Sequence, residues 1–396
     1  MNNKTTESRK KPGKYARKSP RRRSGALTAV LTSVLAVLSA GATGMLLLGV
    51  LMAGGAGQTS QKSAMDNAGI MNRYDMYITN QVSNALDGVL SIQKTYWLSD
   101  EDIVAPEPDQ SRFGETTDPA VVMAMIEEAA DLLGGQQTLF SMDREFFAGS
   151  KITYYLDETI MVISWKELNH GAVYTLSEVK IAHPSQFRRF LADGKYGSDK
   201  QYLTTEMAAS VNAVTASNAD FYKYRKMGII VNNGEVNRVD SRVDTCYIDD
   251  RGDLLFTYRG EIEDLETAQK FVEDNNVRFS LAFGPVLVDN HEKKVPDYYP
   301  LGEVRDIYSR AGLGKLDELH YLLVAVNEEN GYWRVPTMDR FADQMMSFGC
   351  EKAYALDGGQ TAAIVTNDKL INRPDFGNQR TVSDMIYFAT AVPNGG

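Results

Sequence analysis

The chain has 396 residues, with 52 Asp or Glu against 42 Lys or Arg, four His and two Cys. A net charge of −10 argues against nucleic acid as a partner, because phosphate binding is driven by clustered positive charge. His170, His183, His291 and His320 form no His-Glu-x-x-His, no Gly-x-Ser-x-Gly elbow occurs, and Gly312-Leu313-Gly314-Lys315 fits neither a Walker loop nor a dinucleotide fingerprint, so zincin, serine-hydrolase and nucleotide-binding classes fall away.

The charge is unevenly spread. Residues 1–23 hold ten Lys or Arg against one acid, a basic cytoplasmic head of net +9. Residues 24–61 carry no charged side chain, and Leu27 to Leu51 is long enough to cross a hydrocarbon core of ~30 Å as a helix of ~20 residues. A cleaved signal peptide is the alternative, suggested by the small residues Ala53-Gly54-Gly55-Ala56, but its apolar core is expected to run only roughly 7 to 15 residues. With the basic head inside, residues 62–396 lie outside and sum to −19. The expectation is a single-pass cell-membrane protein, N-terminus cytoplasmic and C-terminal domain extracellular.

Residues 62–98 read as a helical stalk. Ile78, Val82, Ala85, Val89, Ile92 and Tyr96 recur at spacings of 4, 3, 4, 3 and 4, a short heptad seam that would support a weak homodimer through residues 78–96. The same stripe equally suits one amphipathic helix packed on its own domain. Residues 99–150 read as linker and helix: 99–118 are acidic and carry Pro106 and Pro108, Asp118-Pro119 is a helix start, and Gly134-Gly135 should stop that helix after Leu133.

From Lys151 the pattern changes to short β-rich runs, ITYYL, TIMVISW, AVYTLSEV, GIIV and LLFTYRG, separated by polar turns. Residues 151–396 are therefore expected to form an α+β domain built on a mixed, largely antiparallel sheet flanked by helices. Cys246 and Cys350 could bridge in an oxidising compartment, or serve as two small buried hydrophobes. Near the end, Thr337 is placed to cap a helix whose Met338, Phe341, Ala342, Met345 and Met346 share one face, with Gly349 ending it. A strand at Ala353 to Leu356 follows, and then Asp357-Gly358-Gly359.

Polar residues beside glycines at strand ends are the chemical signal: Asn218-Ala-Asp220, Gly284-Pro285, Arg310-Ala-Gly312 and Asp357-Gly-Gly359. Carboxylates supply acid or base groups for glycosyl transfer, and arginine offers a permanently charged fork for phosphate. Together they suggest a sugar phosphate. The roles assigned are Asp357 and Asp220 as catalytic carboxylates, Arg310 on the phosphate, and Asn218, Gly284, Gly358 and Gly359 as substrate contacts. Each stretch by itself is also an ordinary turn.

The order of these stretches resembles the phosphodiester glycosidase family. NADFYKYRKMGIIVNNGEVNR at 218–238 is similar to its Asn-Gly-Gly-Phe-Phe segment, FGPVLVDN at 283–290 to its Gly-Gly-Pro-x-Leu-Val, and SRAGLGKLDELHYLLVAV at 309–326 to its Arg-Thr-x-x-Gly and apolar strand. Residues 337–361 are similar to its helix and Asn-Leu-Asp-Gly-Gly-Gly-Ser block, and Arg380-Thr-Val-Ser383-Asp384 to its closing Arg-x-Val-Ser-Asn. The resemblance implies that Thr361, Arg380, Ser383 and Asp384 also contact substrate. It implies an extracellular hydrolase acting on a sugar 1-phosphodiester of an envelope glycan, with no metal assigned and the cofactor left open. Gln360 and Ala219 stand where the family has glycine, which motivates the alternative of a non-catalytic glycan-binding or scaffold ectodomain. A third reading is a sensor or assembly partner that dimerises through its stalk.

Overall fold

The computed structural model describes residues 104–133, 138–220, 222–300 and 304–392. The expected basic head, membrane segment and 62–98 stalk with its seam all fall outside the described residues. Among the described residues no helix is long and apolar enough to cross a membrane.

The chain opens with β1 (Phe113–Thr116), in the stretch read as linker, and β1 pairs antiparallel with β2 (Ile152–Leu156). Phe-Gly-Glu-Thr has no apolar alternation to announce a strand. It forms one because Gly114 lets the Tyr154 ring lie across it, where a Cβ would stand 2.2 Å from Tyr154 Cζ. Helix α1 (Pro119–Leu132) starts as expected: the Asp118 carboxylate accepts the Ala120 N–H at 3.0 Å and Pro119 takes the first position, where no N–H is needed.

Strands β3 (Ile160–Asn169) and β4 (Ala172–Ile181) are buried along nearly their whole length, so their apolar runs lack alternation. Then come β5 (Phe187–Leu191), α2 (Thr204–Ser210), β6 (Thr215–Asn218) and the single turn α3 (Tyr222–Arg225). A hairpin, β7 (Ile230–Asn232) and β8 (Glu235–Arg238), leads to β9 (Thr245–Asp249), β10 (Leu254–Thr257), α4 (Leu265–Asp274) and β11 (Val277–Leu281). Next are β12 (Val286–Asp289), β13 (Glu292–Lys293), β14 (Arg310–Asp317) and β15 (His320–Asn327). Helix α5 (Met338–Ser347), capped by the Thr337 hydroxyl, precedes β16 (Lys352–Leu356), β17 (Ile364–Thr366), β18 (Lys369–Leu370) and β19 (Asp384–Phe388).

Nine strands form one sheet in the order β1-β2-β3-β4-β15-β14-β16-β12-β13, and five form a second in the order β18-β17-β6-β19-β5. Among the described residues their pairings are antiparallel, so the α+β reading with largely antiparallel sheets holds. One face of the large sheet carries α1 and α5, packed through Phe341, Met345, Trp165, Leu322 and Ala353. The other meets the five-stranded sheet in a core of Val162, Val179, Leu323, Phe187, Ile386 and Phe388, where Phe187 stacks on Phe388 at 4.6 Å. Hydroxyl pairs cross this inner layer, Ser164 to Thr366 at 2.9 Å and Ser177 to Thr215 at 3.1 Å, so these buried hydroxyls satisfy one another.

Cys246 and Cys350 are both free and buried, the second of the two readings. The register that matters for the site pairs Ala311 with Leu356 and Arg310 with Val326. It brings the start of β14, the end of β15 and the end of β16 to one edge.

Candidate active site

Asp357 stands where β16 leaves the large sheet, and the five-stranded sheet reaches it there. The Asn218 amide at the end of β6 donates to the Asp357 carbonyl at 2.6 Å, and the Asp357 N–H donates to the Ala219 carbonyl at 3.1 Å. Asn218 also accepts the Ala363 N–H at 3.0 Å, so its side chain is a clamp between two backbones.

The two glycines after Asp357 answer to the protein itself. A Cβ on Gly358 would lie 2.3 Å from the Ser309 carbonyl oxygen, and Gly359 has φ 66° and donates its N–H to the same oxygen at 2.9 Å. Only glycine permits both the close approach and the left-handed backbone. The turn therefore folds down on the start of β14 and leaves the Asp357 carboxyl at the mouth.

The residue as a whole is half-buried, but its carboxyl is enclosed enough to be pushed up to about 6. Burial is the main cause; the Thr361 hydroxyl, Arg380 and Arg225 oppose it, and Asp220 adds to it. Thr361 also donates to the Gly358 carbonyl at 2.6 Å, and the Arg380 N–H donates to the Gln360 carbonyl at 3.3 Å. A second carboxylate sits beside this turn. Asp375 accepts from the Ser309 hydroxyl at 2.5 Å, and its other oxygen is 3.9 Å from where a Gly359 Cβ would be.

A different set of charges lies beneath. The buried Arg189 guanidinium donates to Asp220 at 3.1 Å, to Asp384 at 2.7 and 3.0 Å, and to the Ser280 carbonyl. Asp220 further accepts the N–H groups of Tyr222 at 2.8 Å and Ala282 at 2.7 Å. Burial, then the neighbouring Asp220 charge, push Asp384 upward, while Arg189 pulls it down. Ser383 is buried with its hydroxyl 3.3 Å from Asp384. Gly284, with φ 76°, packs so tightly that a Cβ would fall 2.1 Å from the Tyr299 hydroxyl.

The edge thus gathers Asp357, Gly358, Gly359, Thr361, Asn218 and Arg380. Arg310 shares it through its backbone, but its buried guanidinium donates to the Asp306 carbonyl at 2.7 Å and the Pro336 carbonyl at 3.4 Å and lies over the Tyr308 ring. Asp220, Ser383, Asp384 and Gly284 are not at the mouth. Ser309, Asp375 and Arg225 are members that sequence reasoning missed. Only Asp375 had a signal, since Arg373-Pro-Asp-Phe-Gly377 is turn-forming. Among the described residues no three His, Cys, Asp or Glu side chains converge as metal ligands.

The antiparallel α+β domain thus places one carboxyl, Asp357, within the influence of two arginines at a sheet edge. Residues 211–389 match the family model described as phosphodiester glycosidase. Among solved structures, the chain is similar to the catalytic domain of zebrafish N-acetylglucosamine-1-phosphodiester α-N-acetylglucosaminidase auto-inhibited by its pro-peptide, at 16% identity and TM-score 0.47, covering 58% of this chain and 83% of that one. It is also similar to a hypothetical protein from Synechocystis, at 14% identity and TM-score 0.48, covering 60% of this chain and 63% of that one. No curated protein matches the chain.

Proposed function

We propose that the protein is a membrane-anchored extracellular hydrolase that cleaves a sugar 1-phosphodiester, of the N-acetylglucosamine-1-phosphodiester kind, in cell-envelope polysaccharide. The observation that carries the reading is Asp357, which stands at the edge where the two sheets meet with its carboxyl raised to about 6 by burial and with the charges of Arg380 and Arg225 acting on it. The family description supports the reaction class. The anchor and the envelope substrate rest on the charge jump across residues 24–61.

Glycosidases commonly use two carboxylates, one protonating the leaving group. A phosphate monoester, whose second pKa is ~6, leaves without that help near neutral pH. One ionised carboxylate then suffices. Asp357 takes a proton from a water as its oxygen bonds to the anomeric carbon, the bond from that carbon to the phosphate oxygen breaks, and the phosphate departs with the electron pair. Arg380 and Arg225 meet the phosphate oxygens, each contact worth about 1.5 to 3 kcal/mol as a charge-assisted hydrogen bond. Arg310 braces the loop before β14, and the Arg189–Asp220–Asp384 cluster fixes the floor under Ala219.

The test is to incubate the full-length protein in detergent with UDP-N-acetylglucosamine and synthetic N-acetylglucosamine 1-phosphodiesters and to measure free sugar. Release of sugar from the diesters supports the reading, with activity falling below about pH 6 as Asp357 takes up a proton. Glycan binding without release would favour the scaffold reading that Gln360 motivates.

A further inference from the structure

Two exposed aromatic rings adjoin the mouth and take no part in the chemistry above. Phe376 is 88% exposed and Tyr308 is 42% exposed, with Ile307 beside it at 65%. They are immediate chain neighbours of Asp375 and Ser309, and the Ser309–Asp375 hydrogen bond at 2.5 Å ties their two loops together. Ser309 in turn accepts from Gly359, so both rings are fixed to the turn that carries Asp357.

The backbone at Phe376 is unusual. Its φ is 60° and ψ 8°, a left-handed conformation that an aromatic residue rarely adopts. The ring so placed adds little to the core, since nearly all of it faces solvent. Strain that presents a side chain outward and leaves it unburied points to a ligand. Tyr308 is also held, with the Arg310 guanidinium 5.6 Å from its ring centroid.

We infer that Tyr308 and Phe376 form a stacking subsite for a pyranose ring of the chain attached to the phosphate, so that the substrate is an oligosaccharide or polymer. This rests on the sugar-phosphate reading of the mouth. A pyranose offers a flat C–H face to an aromatic ring and hydroxyls around its edge, and the rings stand among exposed polar groups, Arg373, Asn378 and Arg380. A protein partner would need a broader contact surface, on the order of 800 Å² a side. Continuity favours a glycan: Arg380, proposed to hold the phosphate, follows Phe376 by four residues, and its N–H is bonded to the Gln360 carbonyl of the turn that carries Asp357.

The experiment compares two substrates of the full-length protein, N-acetylglucosamine 1-phosphate esterified to methanol and the same group esterified to an N-acetylglucosamine tetrasaccharide. Phe376→Gly suits the left-handed backbone, so the turn is kept while the ring is removed. Phe376→Gly and Tyr308→Ala should each raise KM for the tetrasaccharide ester about tenfold, the size expected of one lost ring contact, and leave the methyl ester within about twofold. Leu265→Ala, an exposed apolar residue on α4, should change neither. Equal effects on both esters, or none on either, would overturn the subsite. If the parent hydrolyses neither ester, the proposed reaction fails but the subsite is still decided by calorimetric titration with the free tetrasaccharide. Binding that Phe376→Gly abolishes supports the subsite, and no binding by the parent refutes it. A change of oligomeric state in Phe376→Gly with saccharide binding intact would instead make the patch a contact between copies of the chain.

Discussion

Two groups of carboxylates and arginines lie near the meeting edge of the two sheets, and they are built oppositely. In the Arg189–Asp220–Asp384 cluster, exposure is at most a few per cent, and Asp220 alone accepts from a guanidinium and two backbone N–H groups. At the mouth, Asp357 is half-buried and Arg380 exposed. Burial raises Asp384 as well as Asp357, so the difference is access: partners on every side enclose the cluster, whereas Asp357 stands at a partly open edge where a proton can be exchanged with a ligand or water. The residue types are the same in both places. What separates floor from mouth is how many partners each oxygen already has.

The sharpest break of this comparison is Asp357→Asn. It keeps the shape of the turn and should lower the rate by 10² to 10⁴, the usual range for a lost general base, with the melting temperature unchanged or raised. Unaltered sugar release would remove Asp357 from the chemistry. The opposite pattern is expected from Arg189→Met, which leaves two buried carboxylates facing one another. Stability should fall by about 3 to 5 kcal/mol, read by denaturant unfolding, and activity should fall with it. A stable but inactive Arg189→Met would mean that the floor belongs to the reaction.

A smaller contrast separates the arginines. Arg380→Met should cost roughly ten- to a hundredfold in kcat/KM, one charge-assisted contact, at unchanged stability. Arg310→Lys should cost less in rate and more in melting temperature, because it loses the fork that reaches two carbonyls. The reverse ranking would return the phosphate to Arg310.

The smallest effect is thermodynamic. A carboxyl raised from 3.8 to about 6 makes the folded state bind its proton more tightly than the unfolded state, so the Asp357 contribution to stability falls as pH rises through that window and is flat above it. Asp384 shifts in the same direction, so the quantity to read is the difference between parent and variant. Asp357→Asn should match the parent near pH 4 and exceed it by on the order of 1 kcal/mol above pH 6.5, measured by denaturant unfolding across pH. An identical pH dependence in both proteins would place the Asp357 carboxyl in ordinary solvent.

The sequence by itself determined what depends on near neighbours. The Asp118-Pro119 helix start, the Thr337 cap with its apolar face and the turn after Leu356 are set by hydrogen bonds and side-chain periods spanning a few residues, and the strands from Ile152 to Ile181 announce themselves by unbroken β-rich runs. The order of the motifs across 210–392 was enough to indicate the family. Tertiary structure alone decided which polar residues share a surface. Asn218 meets Asp357 across 139 residues and Ser309 meets Asp375 across 66, separations at which no local pattern carries information. Asp220 and Asp357 look alike in sequence, each beside small residues at a strand end. Burial and partner count set them apart, and both are sums over atoms brought together from the whole fold. Gly358 teaches the same lesson: its neighbours in the chain mark a turn, but the carbonyl that forbids any other residue there belongs to Ser309, on another strand's threshold.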